Sequence, residues 1–333
     1  MRSNEKYFYD NKMEGMSMLL EEFGLKRHPA NPIITPKDIP GADAIFNCGQ
    51  TMYRGKTILL VAVIMRNHPI PRMHVAESED GVHFIIRKEP FIMQSDNPRI
   101  KPFDNWPIDP RITYFEEEDT YYIIRPGNSD AGCVAILGKT KDWETYEDIN
   151  VVALPNNRVP CLFPEKINGY YCRLDRPYCL IDDPHNHNQR GFIWISYSPD
   201  LIHWGQHQVV LKPWTTWNDV KIGPTPPIKT SEGWLEIIHG VAGSCTGQRY
   251  HIGAVLLDLK DPSRIVGKMN GYLLKADADY EFLGRVPNVV FPCGAIADIE
   301  QDRFRVYYGG ADTCIGLATG SITEIIDLCK KGL

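Results

Sequence analysis

Asp119-Thr-Tyr-Tyr-Ile-Ile-Arg125 is a turn residue followed by a short run of aromatic and β-branched side chains that ends on a charge. That composition reads as a β-strand entered from a tight turn. The same phrase returns four times, as Gly55-Lys-Thr-Ile-Leu-Leu-Val-Ala-Val63, Gly169-Tyr-Tyr-Cys-Arg-Leu-Asp175, Gly233-Trp-Leu-Glu-Ile-Ile-His239 and Arg303-Phe-Arg-Val-Tyr-Tyr308. Each is read as an inner strand of one repeated unit. The units recur roughly every 50 to 70 residues, near the period of four-stranded propeller blades.

Working outward, a second strand follows each phrase, and several units close on an aromatic ring after an acidic turn. His74-Val-Ala-Glu-Ser-Glu-Asp-Gly-Val-His-Phe84, Val134-Ala-Ile-Leu-Gly-Lys-Thr-Lys-Asp-Trp143 and Ile195-Ser-Tyr-Ser-Pro-Asp-Leu-Ile-His-Trp204 share that shape. Strand units with no helical pattern between them favour radial repetition, which leaves only short sheet edges and a central channel. A two-sheet sandwich of this length would need an unusual number of strands. The fold expected is therefore all-β, a five-bladed β-propeller with short terminal helices. Met16, Leu19, Leu20 and Phe23 give Met13 to Phe23 a helical apolar spacing, and Ile322 to Lys331 is a second candidate helix. The division expected is an N-terminal extension over 1–26 and a catalytic propeller over 27–333.

Composition bounds the function. With 43% hydrophobic and 23% charged residues and no low-complexity run, the chain buries a full core. A formal net charge of −6 without a long basic stretch argues against a nucleic-acid partner. The N-terminus, with Arg2, Glu5, Lys6 and Asp10, has no apolar segment of a secretory signal, and apolar runs such as Ile58 to Met65 are too short to cross a bilayer. The nine scattered cysteines, Cys179 among them, contain no Cys-x-x-Cys pair and read as reduced thiols. A cytoplasmic enzyme of small-molecule chemistry is the expectation.

Polar residues beside the repeated strands are the candidates for that chemistry. Asp109, in Trp106-Pro-Ile-Asp-Pro-Arg111, precedes a proline that limits its freedom, which suits an acid and equally suits an ordinary turn or cap. Arg158 and Arg176 flank the third unit, and guanidinium forks hold phosphate or carboxylate, although isolated arginines more commonly make surface ion pairs. Lys221, His239 and Tyr250 add donors at corresponding positions of the fourth unit. Together on one channel these groups would be costly without an anion. Phosphate-loop and nucleophile-elbow motifs are missing, so nucleotide and serine-hydrolase chemistry are not indicated. Asp182, Asp183, His185 and His187 could bind a metal, but read better as a solvated loop. Glu116 to Glu118 read as a solvated hairpin tip.

An ordered set of short motifs runs through nearly the whole chain: Asn31-Pro-Ile-Ile34, Ile45-Phe-Asn47, Asp109-Pro-Arg111, Leu162-Phe-Pro164, Lys166-Ile-Asn-Gly169, Arg176-Pro177, Lys221-Ile-Gly223, Glu232-Gly-Trp234, His239-Gly-Val241, Leu256-Leu-Asp258, Val286-Pro-Asn288 and Tyr307-Tyr-Gly309. In that order they resemble glycoside hydrolase family 130, the mannoside phosphorylases and related β-mannosidases. The resemblance implies a five-bladed propeller and inverting cleavage of a β-mannoside to α-mannose 1-phosphate and a shortened acceptor. It places the catalytic acid on Asp109, acting through the mannose 3-hydroxyl. It places phosphate on Arg158, Arg176, Lys221, His239 and Tyr250, and the mannose ring on Asn47, Arg72, His74 and Asp312. No metal or organic cofactor is implied; inorganic phosphate is the co-substrate. The partners implied are a β-mannoside oligosaccharide and phosphate, with a homo-oligomer possible.

Three departures concern the acceptor side. Ile108 stands where relatives carry an aromatic residue, Lys221-Ile-Gly223 continues into Pro-Thr-Pro-Pro, and Tyr178 to Asn188 lacks the Ser-Asp-Asn-Gly-His-like stretch of relatives. Linkage and acceptor therefore do not carry over. An inverting β-mannosidase using water and a noncatalytic sugar-binding propeller are the alternatives. A hydrolase of this fold should lose the anion cradle, and here none of its residues is replaced by an acid.

Overall fold

Four antiparallel strands, Ala42–Tyr53, Lys56–Met65, His68–Ser78 and Ile85–Ile86, form the first sheet of the computed structural model, which describes residues 24–180, 189–245 and 247–332. The pattern repeats in a second sheet, Arg111–Phe115, Thr120–Ser129, Gly132–Thr140 and Glu147–Ala153, and in a third, Cys161–Leu162, Tyr171–Asp175, Ile193–Ser198 and Gly205–Leu211. The fourth is built on Lys221–Pro224, Gly233–Ser244, Gly247–Leu257 and Ile265–Lys268, and is widened by four short strands, including Tyr178–Leu180 and Gln189–Gly191. The fifth is Val290–Pro292, Arg303–Gly310 and Cys314–Gly320, with Ile296–Asp298 beside it. Its outer strand is Lys26–Arg27, whose partners are Thr319 and Ala318.

Successive sheets touch in turn, and the innermost strand of the first also touches the fifth, so the arrangement is a closed, propeller-like ring. The repeated phrase marks the second strand of every sheet, not the innermost one. That strand has hydrogen-bonding neighbours on both edges and packed sheets on both faces, so it reads as a near-continuous apolar run, as in Ile58 to Ile64, all buried. The innermost strands are shorter or interrupted by a register shift.

The acidic turns recur as the sequence suggests. Asp80, Asp142 and Asp200 each accept two backbone N–H bonds with one carboxylate oxygen, at 2.8 to 2.9 Å. His83 and His203 add ring contacts of 2.7 Å to the other oxygen of Asp80 and Asp200. These bonds hold both carboxyls well below the usual range.

Helix Ile322–Lys331 begins at Ser321, whose Oγ accepts the Glu324 N–H at 3.1 Å. It buries Ile322, Ile325, Ile326 and Cys329 in the cluster between the fourth and fifth sheets. A one-turn helix, Asp279–Phe282, interrupts the otherwise β-rich chain. The helix expected at 13–23 and the loop 181–188, with Asp182, Asp183, His185 and His187, lie outside the described residues. At the hairpin tip 116–118, Glu116 and Glu117 are exposed as expected, but Glu118 accepts from Tyr122 Oη at 2.6 Å and also from Tyr171 Oη, tying the second sheet to the third. Among the described residues the free cysteines are buried except Cys245, and no helix is long and apolar enough to cross a membrane.

Candidate active site

Asp109 stands two residues before the inner strand Arg111–Phe115, with its backbone in the left-handed region at φ 52°. A non-glycine residue is seldom found there, and it persists only where its surroundings fix it. Two bonds do so. Arg111 Nη1 donates to the Asp109 carbonyl at 2.7 Å, and Asn47 Nδ2 donates to Asp109 Oδ1 at 2.8 Å. Asn47 has φ 47° and lies at a register shift in strand Ala42–Tyr53, which turns its side chain out of the pleat. A Cβ at Gly309 would meet Asn47 Oδ1 at 2.1 Å, so this glycine makes room for the amide.

Asp312 approaches from the fifth sheet, in the turn between Arg303–Gly310 and Cys314–Gly320, again with positive φ, 48°. Burial, then the nearby Asp109 carboxylate, pushes its carboxyl up to about 7 despite Arg158, Arg285 and the Asn47 amide. This corner of the site thus titrates near neutral pH. Arg285 is itself held by Asp43 at 2.6 Å.

Across the axis the charges reverse. Arg158 lies before strand Cys161–Leu162 and its Nε is 3.6 Å from Asp109 Oδ2. Arg176 directly follows strand Tyr171–Asp175 and is buried over the Tyr178 ring, 4.4 Å from its centroid. Lys221 opens Lys221–Pro224, opposite Val241, and Val241 is opposite Tyr250. Lys221 Nζ lies 5.4 Å from the centroid of the Tyr250 ring. Gly223 pairs with His239, and a Cβ there would meet the imidazole at 2.2 Å. The ring of His239 lies against Phe291 with centroids 4.7 Å apart.

Burial and mutual repulsion act on this group together. Burial first, then Arg176 and Arg158, lowers Lys221 to about 7. Burial lowers His239 well below its ordinary value, with Arg176, Arg111, Lys221 and Arg158 adding to it, and also lowers Arg176. Tyr250 is raised, chiefly by burial. Arg176 Nε and Nη1, Arg111 Nε and Nη2, and His239 Nδ1 are buried without a hydrogen-bond partner among the described residues. Crowded cations with unused donors form a site that an oxyanion would complete.

The axis therefore brings together Asn47, Asp109, Arg158, Arg176, Lys221, His239, Tyr250 and Asp312. Arg72 and His74 lie on His68–Ser78, the third strand of the first sheet, opposite Val63 and Val61. His74 Nδ1 is 2.9 Å from the Arg87 carbonyl, and burial lowers its imidazole. Among the described residues no hydrogen bond or ion pair joins either to Asp109. Sequence reading passed over Arg111, visible only as a lone cation opening an apolar strand, and Phe291, which lies 5.3 Å from the Arg111 guanidinium. It also passed over Glu236, an acid inside an apolar strand, now fully buried and raised well above its ordinary value by burial.

The class these observations define is a propeller-like ring whose axis holds a hydrogen-bonded acid beside a group of buried cations. A family profile described as beta-1,4-mannooligosaccharide phosphorylase matches residues 25–331. The beta-1,4-mannooligosaccharide phosphorylase of Ruminococcus albus is 33% identical over 310 residues, covering 92% of this chain and 90% of that protein. The 1,2-beta-oligomannan phosphorylase of Thermoanaerobacter sp. is 34% identical over 317 residues, covering 90% and 98%. The beta-1,2-mannobiose phosphorylase of Listeria innocua, solved with beta-1,2-mannobiose, superposes with a TM-score of 0.80 at 30% identity, covering 92% of this chain and 99% of that one. The chain belongs to glycoside hydrolase family 130, the mannoside phosphorylase family.

Proposed function

We propose that this chain is an inverting β-mannoside phosphorylase, an enzyme that transfers a mannosyl group from a β-linked oligosaccharide to inorganic phosphate. The observation that carries the reading is the group of buried donors on Arg176, Arg111 and His239, without partners among the described residues, gathered with Lys221 and Arg158 next to Asp109. An inverting hydrolase needs a second carboxylate to activate water, whereas phosphate arrives as an anion and needs positive charge to hold and aim it.

In this reading the terminal mannose sits against Asn47 and Asp312. Arg72 and His74 complete the sugar side, and with Nδ1 of His74 engaged by the Arg87 carbonyl, Nε2 is the nitrogen left for a ligand. Asp109 gives its proton to the mannose 3-hydroxyl, whose own proton passes to the glycosidic oxygen. The bond from C1 to that oxygen breaks as a phosphate oxygen, held by Arg158, Arg176, Lys221, His239 and Tyr250, bonds to the opposite face of C1. The products are α-mannose 1-phosphate and the shortened acceptor. Preorganised cations stabilise the anion without reorganising during reaction. No metal or organic cofactor enters these steps.

The same reading takes the five sheets as five propeller blades, residues 27–333 as one catalytic domain after an extension over 1–26, and the cytoplasm as its place of work. Incubation with β-1,4-, β-1,2- and β-1,3-mannobiose, with and without phosphate, tests it. Mannose 1-phosphate formed only with phosphate is the expected result. Free mannose in both arms would make the chain a hydrolase, and binding without turnover a sugar-binding propeller.

A further inference from the structure

The interfaces between sheets are not filled alike. Between the third and fourth, Phe163, Ile195, Ile222, Trp234 and their neighbours form a continuous apolar cluster. Between the second and third, the cluster around Phe115, Leu137, Leu162 and Tyr171 fills only part of the interface. The remainder is a cavity of about 540 Å³, lined by Leu154, Asn157, Asp175, Trp194, Trp204 and His207 together with Arg173 and others.

Its floor is polar and already organised. Asp175 Oδ1 accepts from Asn157 Nδ2 at 2.7 Å and lies 2.9 Å from Arg173 Nε, while Asp175 Oδ2 accepts from Ser196 Oγ at 2.6 Å. Arg173 also spreads over the Trp204 ring, 4.0 Å from its centroid. On the wall, Trp194 holds a buried Nε1–H with no hydrogen-bond partner among the described residues. At the rim Leu154 is 83% exposed, although no packing role requires a large apolar side chain there. None of these groups takes part in the reaction derived above.

We propose that this groove is a second saccharide-binding site, which takes one or two pyranose units of a β-mannoside oligosaccharide apart from the ring being cleaved. The volume falls in the range of small-ligand sites, mostly apolar with a few fixed polar groups. A pyranose offers apolar C–H faces to the indoles and hydroxyls to the floor, including an oxygen acceptor for Trp194 Nε1–H. An anion would face the Asp175 carboxylate, and a wholly apolar ligand would leave the Trp194 donor unpaired.

Position gives the groove a purpose. Asn157 precedes Arg158 and Asp175 precedes Arg176, and Asn157 Oδ1 accepts the Arg176 N–H at 3.0 Å. A sugar held there tethers a long substrate beside the axial site and raises its effective concentration. This purpose rests on the axial site being the mannoside phosphorylase site proposed above.

The experiment uses the full chain labelled with ¹⁵N at tryptophan, with the Trp194 indole resonance assigned by Trp194→Phe. Titration with mannotriose and mannohexaose, β-1,4- and β-1,2-linked, is expected to shift that resonance saturably in at least one series, in Asp109→Asn protein as in wild type. In parallel, Trp194→Ala and His207→Ala are each expected to lower the ratio of kcat/KM for hexaose to that for biose about tenfold, a change set by lost binding of the added units. A Trp194 resonance that ignores every sugar while the enzyme still cleaves them overturns the groove and leaves the phosphorylase standing. A resonance that moves with protein concentration and not with sugar assigns the groove to a second copy of the chain and also overturns it. A shifted resonance in a protein that cleaves no β-mannoside keeps the groove and removes the tether. Should Trp194→Ala fail to fold, Trp194→Phe and His207→Ala carry the kinetic arm.

Discussion

The two sides of the axial site differ in charge yet are displaced in the same sense. On the side of Asn47, Asp109 and Asp312, two carboxyls share a buried corner, and Asp312 rises to about 7. On the side of Arg158, Arg176, Lys221 and His239, buried cations repel one another, and Lys221 falls to about 7. Asp312 and Lys221 are each pushed toward neutrality by the crowding on their own side, while Arg158 Nε, 3.6 Å from Asp109 Oδ2, joins the two sides. Folding alone has little use for such an arrangement; a neutral sugar on one side and an anion on the other give it one.

The comparison breaks first at the acid. Asp109→Asn retains the shape and most hydrogen bonds but carries no transferable proton, so kcat is expected to drop about 10³-fold while sugar binding, followed by calorimetry, persists. Unchanged turnover would remove Asp109 from the chemistry. On the opposite side, Arg176→Ala is expected to raise the KM for phosphate about 10- to 100-fold, the worth of charge-assisted hydrogen bonds, with little change in the KM for mannoside. Equal effects on both substrates would mean that the two sides are not separate sites.

Lys221 sharpens the contrast through pH. Its folded value is about 7, so the free enzyme loses this charge as pH rises through that value, and phosphate binding must then draw a proton back. Phosphate affinity is expected to weaken above pH 7 with proton uptake measurable by calorimetry in two buffers. Lys221→Arg should move that weakening to higher pH. An affinity flat from pH 6 to 9 in the wild-type enzyme would contradict the displaced lysine.

Glu236 supplies a smaller test, since it is a buried acid outside both sides. Thr225 N–H donates to its Oε1 at 2.7 Å, its Oε2 has no hydrogen-bond partner among the described residues, and burial raises it well above 4.5. The folded chain therefore holds a proton that the unfolded chain releases, and stability falls as pH climbs from about 4.5 toward the folded value. Glu236→Gln keeps the shape and removes the titration. Urea denaturation at pH 5 and pH 8.5 is expected to show a loss in the wild type that exceeds the variant's by about 1 kcal/mol. Parallel profiles would mean that the carboxyl titrates normally.

How much of this was legible depends on whether the signal was local. The repeated strands declare themselves because a strand covered on both faces must be apolar along its length, as Ile58 to Ile64 is. Asp109-Pro-Arg111 was readable as a constrained acid, but the part played by Arg111 was not, since nothing local says that its guanidinium folds back to the Asp109 carbonyl. Phe291 and Tyr178 became walls of the cradle only when the ring closed.

By itself the sequence determined the β-rich repeat, the acidic turns at Asp80, Asp142 and Asp200, the terminal helix at Ile322–Lys331 and, through its ordered motifs, the family. These are short-range matters of periodicity, turn chemistry and residue type. Only the tertiary structure decided that Asn47, Asp109 and Asp312 meet from three sheets, that Lys221 and Asp312 are each driven to about 7, and that a groove with a polar floor opens between the second and third sheets. Burial and proximity set those properties, and both arise from contacts between residues far apart in the chain, which ring closure alone creates.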